Sequence, residues 1–277
     1  MHSILPPSSS AACRRACAVD SGRTPTMSNV NESTFFLAAL LISGLTACGM
    51  SDGNSEAQVQ SGYATGKVTD TQGRPIAGAK ILLDNSVFYA SYIDGTTRDD
   101  GSYRIKVQPG AWKADASFRK TYNGRTYVLE LDPDNDDSFN EDGVVRDFTW
   151  KLEGRTPGNE YGYYGGFIQL SQAIGFYEDM EAIELTLTPH GPLIDGSPGK
   201  TLRLRVGDHY WVDRYQVEDV PIGRYMVTAT LQGDDGPRPL KIQDWHAKGD
   251  FEQEFQLDFL PKSDSVLRIS ASIVIGE

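Results

Sequence analysis

Short runs in which side chains alternate in polarity constrain this chain more than any other feature. Tyr103, Ile105 and Val107 are separated by Arg104 and Lys106, and Trp112, Ala114, Ala116 and Phe118 by Lys113, Asp115 and Ser117. A period of two sends one set to a buried face and the other to water, the pattern of a half-buried β-strand. Turn formers separate the runs: Gln72-Gly73-Arg74-Pro75, Asp99-Asp100-Gly101 and Pro109-Gly110. These residues preset the backbone angles that reverse a chain. Gly73 with Pro75 is expected to set a first hairpin turn, and Asp100-Gly101 a second tight turn. No long stretch carries a 3.6-residue period with caps. The fold class expected is therefore all-β, with short strands layered as a sandwich.

The same pattern returns in the second half. Ile183, Leu185 and Leu187 alternate with Glu184, Thr186 and Thr188, and Leu202, Leu204 and Val206 with Arg203 and Arg205. "YQVEDVPIGRYMVTA" (Tyr215–Ala229) parallels "YRIKVQPGAWKADA" (Tyr103–Ala116): an aromatic start, apolar alternation, a Pro–Gly turn and an aromatic return strand. Phe251, Phe255, Leu257 and Phe259, then Leu267, Ile269, Ala271 and Ile273, supply two more strands. The expected organisation is two tandem β-sandwich domains, 62–153 and 165–277, the second a diverged copy of the first. The join is 154–164, "GRTPGNEYGYY", rich in glycine and turn formers.

Upstream of Gly62 the pattern is different. Phe35–Leu45 is an apolar run of 11 residues. A membrane span needs about 20, so the run fits the core of a signal peptide. It ends at Leu45-Thr46-Ala47-Cys48, which resembles the lipobox of bacterial lipoproteins. That resemblance implies cleavage before Cys48, acylation of its thiol, and a lipid anchor in the cell envelope, in the outer membrane with its periplasm or at the cell surface. Gly49 after the cysteine is the residue that permits outer-membrane delivery in some of that family. No Lys or Arg lies between Met27 and the apolar core, so Arg14, Arg15 and Arg23 supply the positive start only if translation begins at Met1. Residues 1–47 are thus expected to be a leader, and 48–61, small and polar, a disordered lipidated tether. Cys13 and Cys17 lie in the leader, so a disulfide framework in the folded part is excluded.

"ATGKVTDTQGRPIAGAKILL" (Ala64–Leu83) followed by "TRDDGSYRIKVQPGAW" (Thr97–Trp112) resembles a carboxypeptidase regulatory-like domain. The matching positions are Gly66, Val68, Asp70, Gly73, Pro75, Gly78 and Ala79, then Asp100, Gly101, Tyr103, Pro109 and Gly110. The resemblance implies a small transthyretin-like or Ig-like sandwich. It implies no peptidase activity, because in those enzymes this domain is an appendage to a separate zinc catalytic domain.

Charge excludes one class of partner. Lys and Arg number 26 against 38 Asp and Glu, a net charge of −12. Such a surface repels phosphate backbones, and no basic stripe with interleaved aromatics is present, so nucleic acid is not expected as a partner.

Several motifs reduce to ordinary structure. Gly49-Met50-Ser51-Asp52-Gly53 has the spacing of a nucleophile elbow but falls in the tether. Gly196-Ser197-Pro198-Gly199-Lys200-Thr201 lacks the earlier glycine of a phosphate loop and reads as a turn. His190, His209 and His246 show no metalloprotease spacing. The densest polar cluster is "LDPDNDDSFNEDG" (Leu131–Gly143), with Asp132, Asp134, Asp136 and Asp137. It reads as a solvated acidic loop, with a calcium site on those four carboxylates as the alternative; an EF-hand count from Asp132 fails at its sixth and twelfth positions. No other cofactor is expected. Tyr161, Tyr163 and Tyr164 at the join, with Phe88, Tyr89, Tyr92, Tyr122 and Tyr127, read as interdomain core or, alternatively, as exposed rings that stack on sugars. The function expected is a non-enzymatic lipoprotein that binds, scaffolds or adheres through its sandwiches. Its partners would be the membrane, by its anchor, and an envelope protein or glycan; the alternative is a carbohydrate-binding module.

Overall fold

The alternating runs are strands in the computed structural model, which describes residues 58–159, 162–207, 215–263 and 268–277. The first half carries β1 (Tyr63–Thr69), β2 (Lys80–Asn85), β3 (Tyr92–Thr96), β4 (Ser102–Lys106), β5 (Trp112–Tyr122), β6 (Arg125–Glu130), β7 (Asp132–Pro133), β8 (Val144–Val145) and β9 (Phe148–Thr149). Two sheets result, ordered β4-β1-β9-β7 and β3-β2-β5-β6, with β8 also pairing β1. Tyr103, Ile105, Trp112, Ala114 and Ala116 are buried between them while Arg104, Lys113 and Asp115 face out, as the alternation requires.

The second half carries β10 (Gly166–Gln172), β11 (Ile183–Pro189), β12 (Leu202–Arg205), β13 (Tyr215–Val220), β14 (Arg224–Gly233), β15 (Gly236–Asp244), β16 (Phe255–Asp258) and β17 (Ser270–Gly276). A single 3-10 turn, Met180–Ala182, precedes β11, and no α-helix occurs among the described residues. The strands form one path, β12-β11-β14-β15-β17-β10-β13, with β16 alongside β14. β15 makes the path continuous by serving both layers: Leu240 and the residues before it pair with β14, and Lys241–Asp244 pair with β17. Pro237 and Pro239 lie where β15 pairs only β14 among the strands, the position in which a missing N–H is tolerated.

The halves share one topology. In each, the first strand pairs antiparallel with the fourth (β1 with β4, β10 with β13) and parallel with the last (β1 with β8 and β9, β10 with β17). In each, the second strand lies between the third and fifth (β2 between β3 and β5, β11 between β12 and β14). Strand order is thus common to the two halves.

Gly73 with Pro75 sets a hairpin turn: Gly73 N–H donates to the Asp70 carbonyl at 2.9 Å, Asp70 N–H to that of Arg74 at 2.8 Å, and Thr69 bridges Pro75 antiparallel. Asp100-Gly101 forms the second tight turn, with Gly101 N–H donating to the Arg98 carbonyl at 2.9 Å. Beyond each turn the chain crosses the sandwich, since β1 and β2 lie in different sheets, as do β3 and β4. A hairpin between neighbouring strands of one sheet sits at Asn123-Gly124, where both residues have positive φ and β5 pairs β6. That dipeptide is the strongest short hairpin signal a sequence offers. The final strand departs from simple alternation: Ile273, Val274 and Ile275 are all buried, because β17 is an interior strand covered on both faces.

Asn54–Glu277 form one compact unit. Tyrosines from β5 and β6 join the halves. The Tyr127 hydroxyl, wholly buried, donates to the Phe259 carbonyl at 2.7 Å. Tyr122 donates to the Pro192 carbonyl at 2.8 Å and accepts from the Arg224 N–H at 3.0 Å. Thr71 donates to the Asp195 carboxylate at 2.8 Å. Burial alone would raise the Asp195 carboxyl, but hydrogen bonds from Ser197, Thr71 and Gln72 outweigh it and hold the group below its ordinary value. Tyr122 and Tyr127 therefore follow the core reading.

Candidate functional site

The join at 154–164 is a small hairpin held at its base rather than an open linker. Arg155 bridges to Tyr163, Thr156 N–H donates to the Gly162 carbonyl at 3.0 Å, and Tyr164 N–H to that of Gly154 at 2.9 Å. Its two ends meet on the carboxylate of Asp219 in β13. Gly154 N–H lies 2.9 and 2.8 Å from the two oxygens, and Gly165 N–H lies 3.2 Å from one of them. Asp219 takes this position with φ of 58°, which aspartate tolerates better than most residues. Gly165 is required there, since a Cβ would lie 2.7 Å from the Asp219 carbonyl carbon. Nothing in the local sequence marked Asp219; its partners are 54 and 65 residues away.

The hairpin walls two adjoining clefts. One, of about 460 Å³, lies over the outer face of β2, β5 and β6 and is lined by Lys80, Asp115, Val128, Glu130, Asp136, Thr156 and Asn159 among others. The other, of about 220 Å³, shares Val128, Glu130, Thr156 and Asn159 and adds Trp150, Lys151, Tyr163, Lys262 and Arg268. One side is carboxylate-rich and the other basic. Asp115 stands on the first wall; crowding by protein raises its carboxyl above the ordinary value, and the charges of Asp136, Asp84 and Glu130 raise it further against Lys113. Across the second cleft, Lys262 pairs with Glu130, and Arg268 grips Glu218 through two bonds of 3.1 and 3.0 Å with its guanidinium 4.5 Å from the Phe167 ring centre. A concave site with an apolar floor and polar groups of both signs suits a polar, extended ligand.

The expected site residues divide. Tyr164 is buried, and its hydroxyl donates to Asp132 at 2.7 Å. Burial first, then that bond, push its ionisation far above the ordinary range, so it stays a donor. It lines both clefts while remaining 8% exposed, with its hydroxyl committed to Asp132. Tyr163 is half-buried, with the Arg155 guanidinium 5.0 Å from its ring centre. Tyr161 and Cys48 lie outside the described residues, as does His209.

The four aspartates do not converge. Asp132 takes Tyr164 and Lys151, Asp136 takes Lys113 at 3.2 Å, and Asp134 faces Arg146 at 3.7 Å. Asp137 contributes its carbonyl, which accepts from Arg146 at 2.9 Å. Among the described residues no group of three or more His, Cys, Asp or Glu side chains is placed to hold a metal ion. The sequence reading missed Arg146, which is 3% exposed and reaches beneath this loop from between β8 and β9. Its backbone is fixed as well: its N–H donates to the Thr65 carbonyl at 2.8 Å, and its carbonyl accepts from the Tyr103 hydroxyl at 2.7 Å. Gly66 permits this approach, since a Cβ there would lie 1.9 Å from the Arg146 oxygen.

No protein-family model matches the chain, and no curated protein matches it. Among solved structures it is similar to the Bacillus anthracis TIE protein, at 11% identity and a TM-score of 0.28, over 78% of this chain and 34% of that one. A C-terminal fragment of the pilus adhesin SpaC from Lactobacillus rhamnosus GG aligns at 10% identity and TM-score 0.25, over 78% and 96%. The major pilin subunit of Bacillus cereus aligns at 9% and 0.22, over 79% and 100%. The chain spans about a third of the length of the TIE protein and 27% of a Bacteroides thetaiotaomicron leucine-rich repeat protein to which it is also similar, at 14% identity and TM-score 0.25 over 77% of this chain.

Proposed function

We propose that this protein is a lipid-anchored protein of a bacterial envelope that binds a partner without catalysis, through the paired clefts beside the 154–164 hairpin. The observation that carries the reading is the Asp219 clamp. It makes the join a fixed wall between an acidic and a basic recess, a preorganised shape that lowers the ordering cost of binding. Anchoring rests on the lipobox-like Leu45–Cys48 and the apolar run before it. Two measurements test the proposal. Metabolic palmitate labelling is expected in the native protein and absent in Cys48→Ser. A photoreactive residue at Val128, common to both clefts, is expected to cross-link a partner in intact envelopes. The same group at exposed Tyr177 should not cross-link that partner. Equal capture at both positions would remove the clefts from the account.

A glycan is the second reading, favoured by the half-exposed Tyr163 ring beside the polar groups of the smaller cleft. Glycan-array binding that disappears in Tyr163→Ala would establish it; binding retained in that variant would end it.

A further inference from the structure

The loop between β2 and β3 presents three consecutive apolar side chains to solvent: Val87, Phe88 and Tyr89 are 70%, 66% and 100% exposed. The exposure is built in. Buried Asn85 accepts the N–H groups of Val87 and Phe88 at 2.9 and 2.8 Å, Ser86 N–H donates to the Ala111 carbonyl at 2.8 Å, and Ala90 holds a positive φ. The matching connection of the second half, between β11 and β12, is covered. There Leu193 and Ile194 are buried, and Pro192 and Asp195 bond to Tyr122 and Thr71 of the first half. The first sandwich has no sandwich before it in the described chain to play that part.

What lies on that side is the start of the fold. The Gly62 N–H donates to the Glu141 carbonyl at 3.0 Å, and the Gly62 carbonyl accepts from Val107 at 2.9 Å. The chain therefore joins β1 at the end of the sandwich that holds the β2–β3 loop, the β4–β5 turn and the 139–143 segment. Ten residue steps separate Cys48 from Gln58. At no more than about 3.6 Å each, an acylated Cys48 holds this end within about 36 Å of its lipid chains.

We propose that the Val87–Tyr89 loop is a membrane-docking tip that seats in the boundary between headgroups and acyl chains of the bilayer carrying the Cys48 anchor. The inference rests on the lipid-anchor reading above. Aromatic side chains with one apolar and one polar end favour that boundary, and a lipid chain gains permanence from a second, protein-borne contact. The 139–143 segment at the same end carries Glu141 and Asp142. Those charges repel anionic headgroups, so the tip should prefer zwitterionic lipid, the reverse of a polybasic anchor.

Cys48 is the last cysteine in the sequence, so one introduced cysteine can be labelled alone. A nitroxide on Tyr89→Cys in the acylated protein, bound to phosphatidylcholine vesicles, should become accessible to oxygen and shielded from an aqueous nickel chelate. The same label on Tyr177→Cys should remain water-exposed. In acyl-free Cys48→Ser, vesicle binding should fall at least tenfold when Val87, Phe88 and Tyr89 are all replaced by Ser, and should weaken when phosphatidylglycerol is added. A label at Tyr89 that stays aqueous on acylated, vesicle-bound protein overturns the proposal. So does shielding without vesicles that grows with protein concentration, which would make a second copy the occupant. Loop-dependent vesicle binding, together with a native protein that takes up no palmitate in cells, would sustain the tip and overturn the anchor instead.

Discussion

The two halves keep one strand order with different chemistry in their last strands. In the second half β17 runs unbroken for seven residues and buries Ile273, Val274 and Ile275. In the first half the same position is split into β8 and β9, two residues each, around a buried arginine. The strand that changes layers follows the same contrast. β15 crosses in one piece, whereas β6 and β7 are separate, with Leu131 between them and Pro133 closing the second. The second half thus closes on apolar burial alone, and the first adds to buried Phe148 a polar crossing at Arg146, whose backbone bonds Thr65 and Tyr103 and whose guanidinium bonds the Asp137 carbonyl. A topology set by which strands pair leaves the filling of the core free to diverge, here at the cost of one buried guanidinium nitrogen, Arg146 Nη1, that makes no hydrogen bond and only faces Asp134 at 3.7 Å.

The largest effects should come from the two closing strands. Ile275→Ala and Phe148→Ala each remove a fully buried side chain, at a cost of about 2–5 kcal/mol. Because Tyr122 and Tyr127 tie the halves together, each substitution should lower one shared calorimetric transition. Two transitions, each moved by only one substitution, would break the picture of a single cooperative unit. Tyr122→Phe should cost less, about 1–2 kcal/mol, by orphaning the Pro192 carbonyl and the Arg224 N–H. Two resolved transitions appearing in this variant alone would identify Tyr122 as the coupling residue.

Arg146→Met sharpens the contrast in the other direction. The arginine is buried, but Asp134 is about half exposed, so its charge stays hydrated when the guanidinium goes. The change should lie within about 1 kcal/mol of zero by urea titration, as apolar replacement of a buried ion often does. A loss as large as that of Phe148→Ala would show the arginine to be the principal support of the first half.

Acid should act at the contact between halves. The Asp195 carboxyl lies below its unfolded value, so its ionised form stabilises the fold above about pH 4. That contribution is lost as pH falls through the lowered folded value. In Asp195→Asn the midpoint should accordingly fall less between pH 5 and pH 3 than in the parent; equal slopes would exclude this group. The smallest effect expected is from calcium. Melting curves with calcium and with chelator should coincide, because Asp132, Asp134 and Asp136 each face a different cation; a raised midpoint would restore the alternative reading of the loop.

The strands were legible because alternation is local. A pleated backbone points successive side chains to opposite faces whatever its neighbours are. Thus Tyr103–Val107 and Trp112–Phe118 declared their inward and outward positions, and the Tyr215–Ala229 run declared the repeat. Turn residues were legible for the same reason, since Gly73 and Gly101 require a positive φ that few other residues tolerate. What those turns connect was not legible, because crossing to the other sheet and returning in the same sheet begin with the same local bend.

The candidate site lay almost wholly beyond local pattern. Tyr163 and Tyr164 are neighbours of one residue type in one glycine-rich segment and both line the smaller cleft, yet Tyr164 is buried with its hydroxyl on Asp132 while Tyr163 is only half-buried. The acidic run, for which a calcium site was the alternative reading, is dispersed onto Lys151, Arg146 and Lys113, and the join becomes a wall only through Asp219. By itself the sequence determined the all-β class, the recurring strand pattern and the faces of the strands, because each follows from backbone geometry over a few residues. Tertiary structure alone decided the sheet partners, the fate of each tyrosine and the shape of the clefts. Those depend on groups far apart in the chain, where only packing and the need to satisfy buried polar atoms choose among partners of equal local merit.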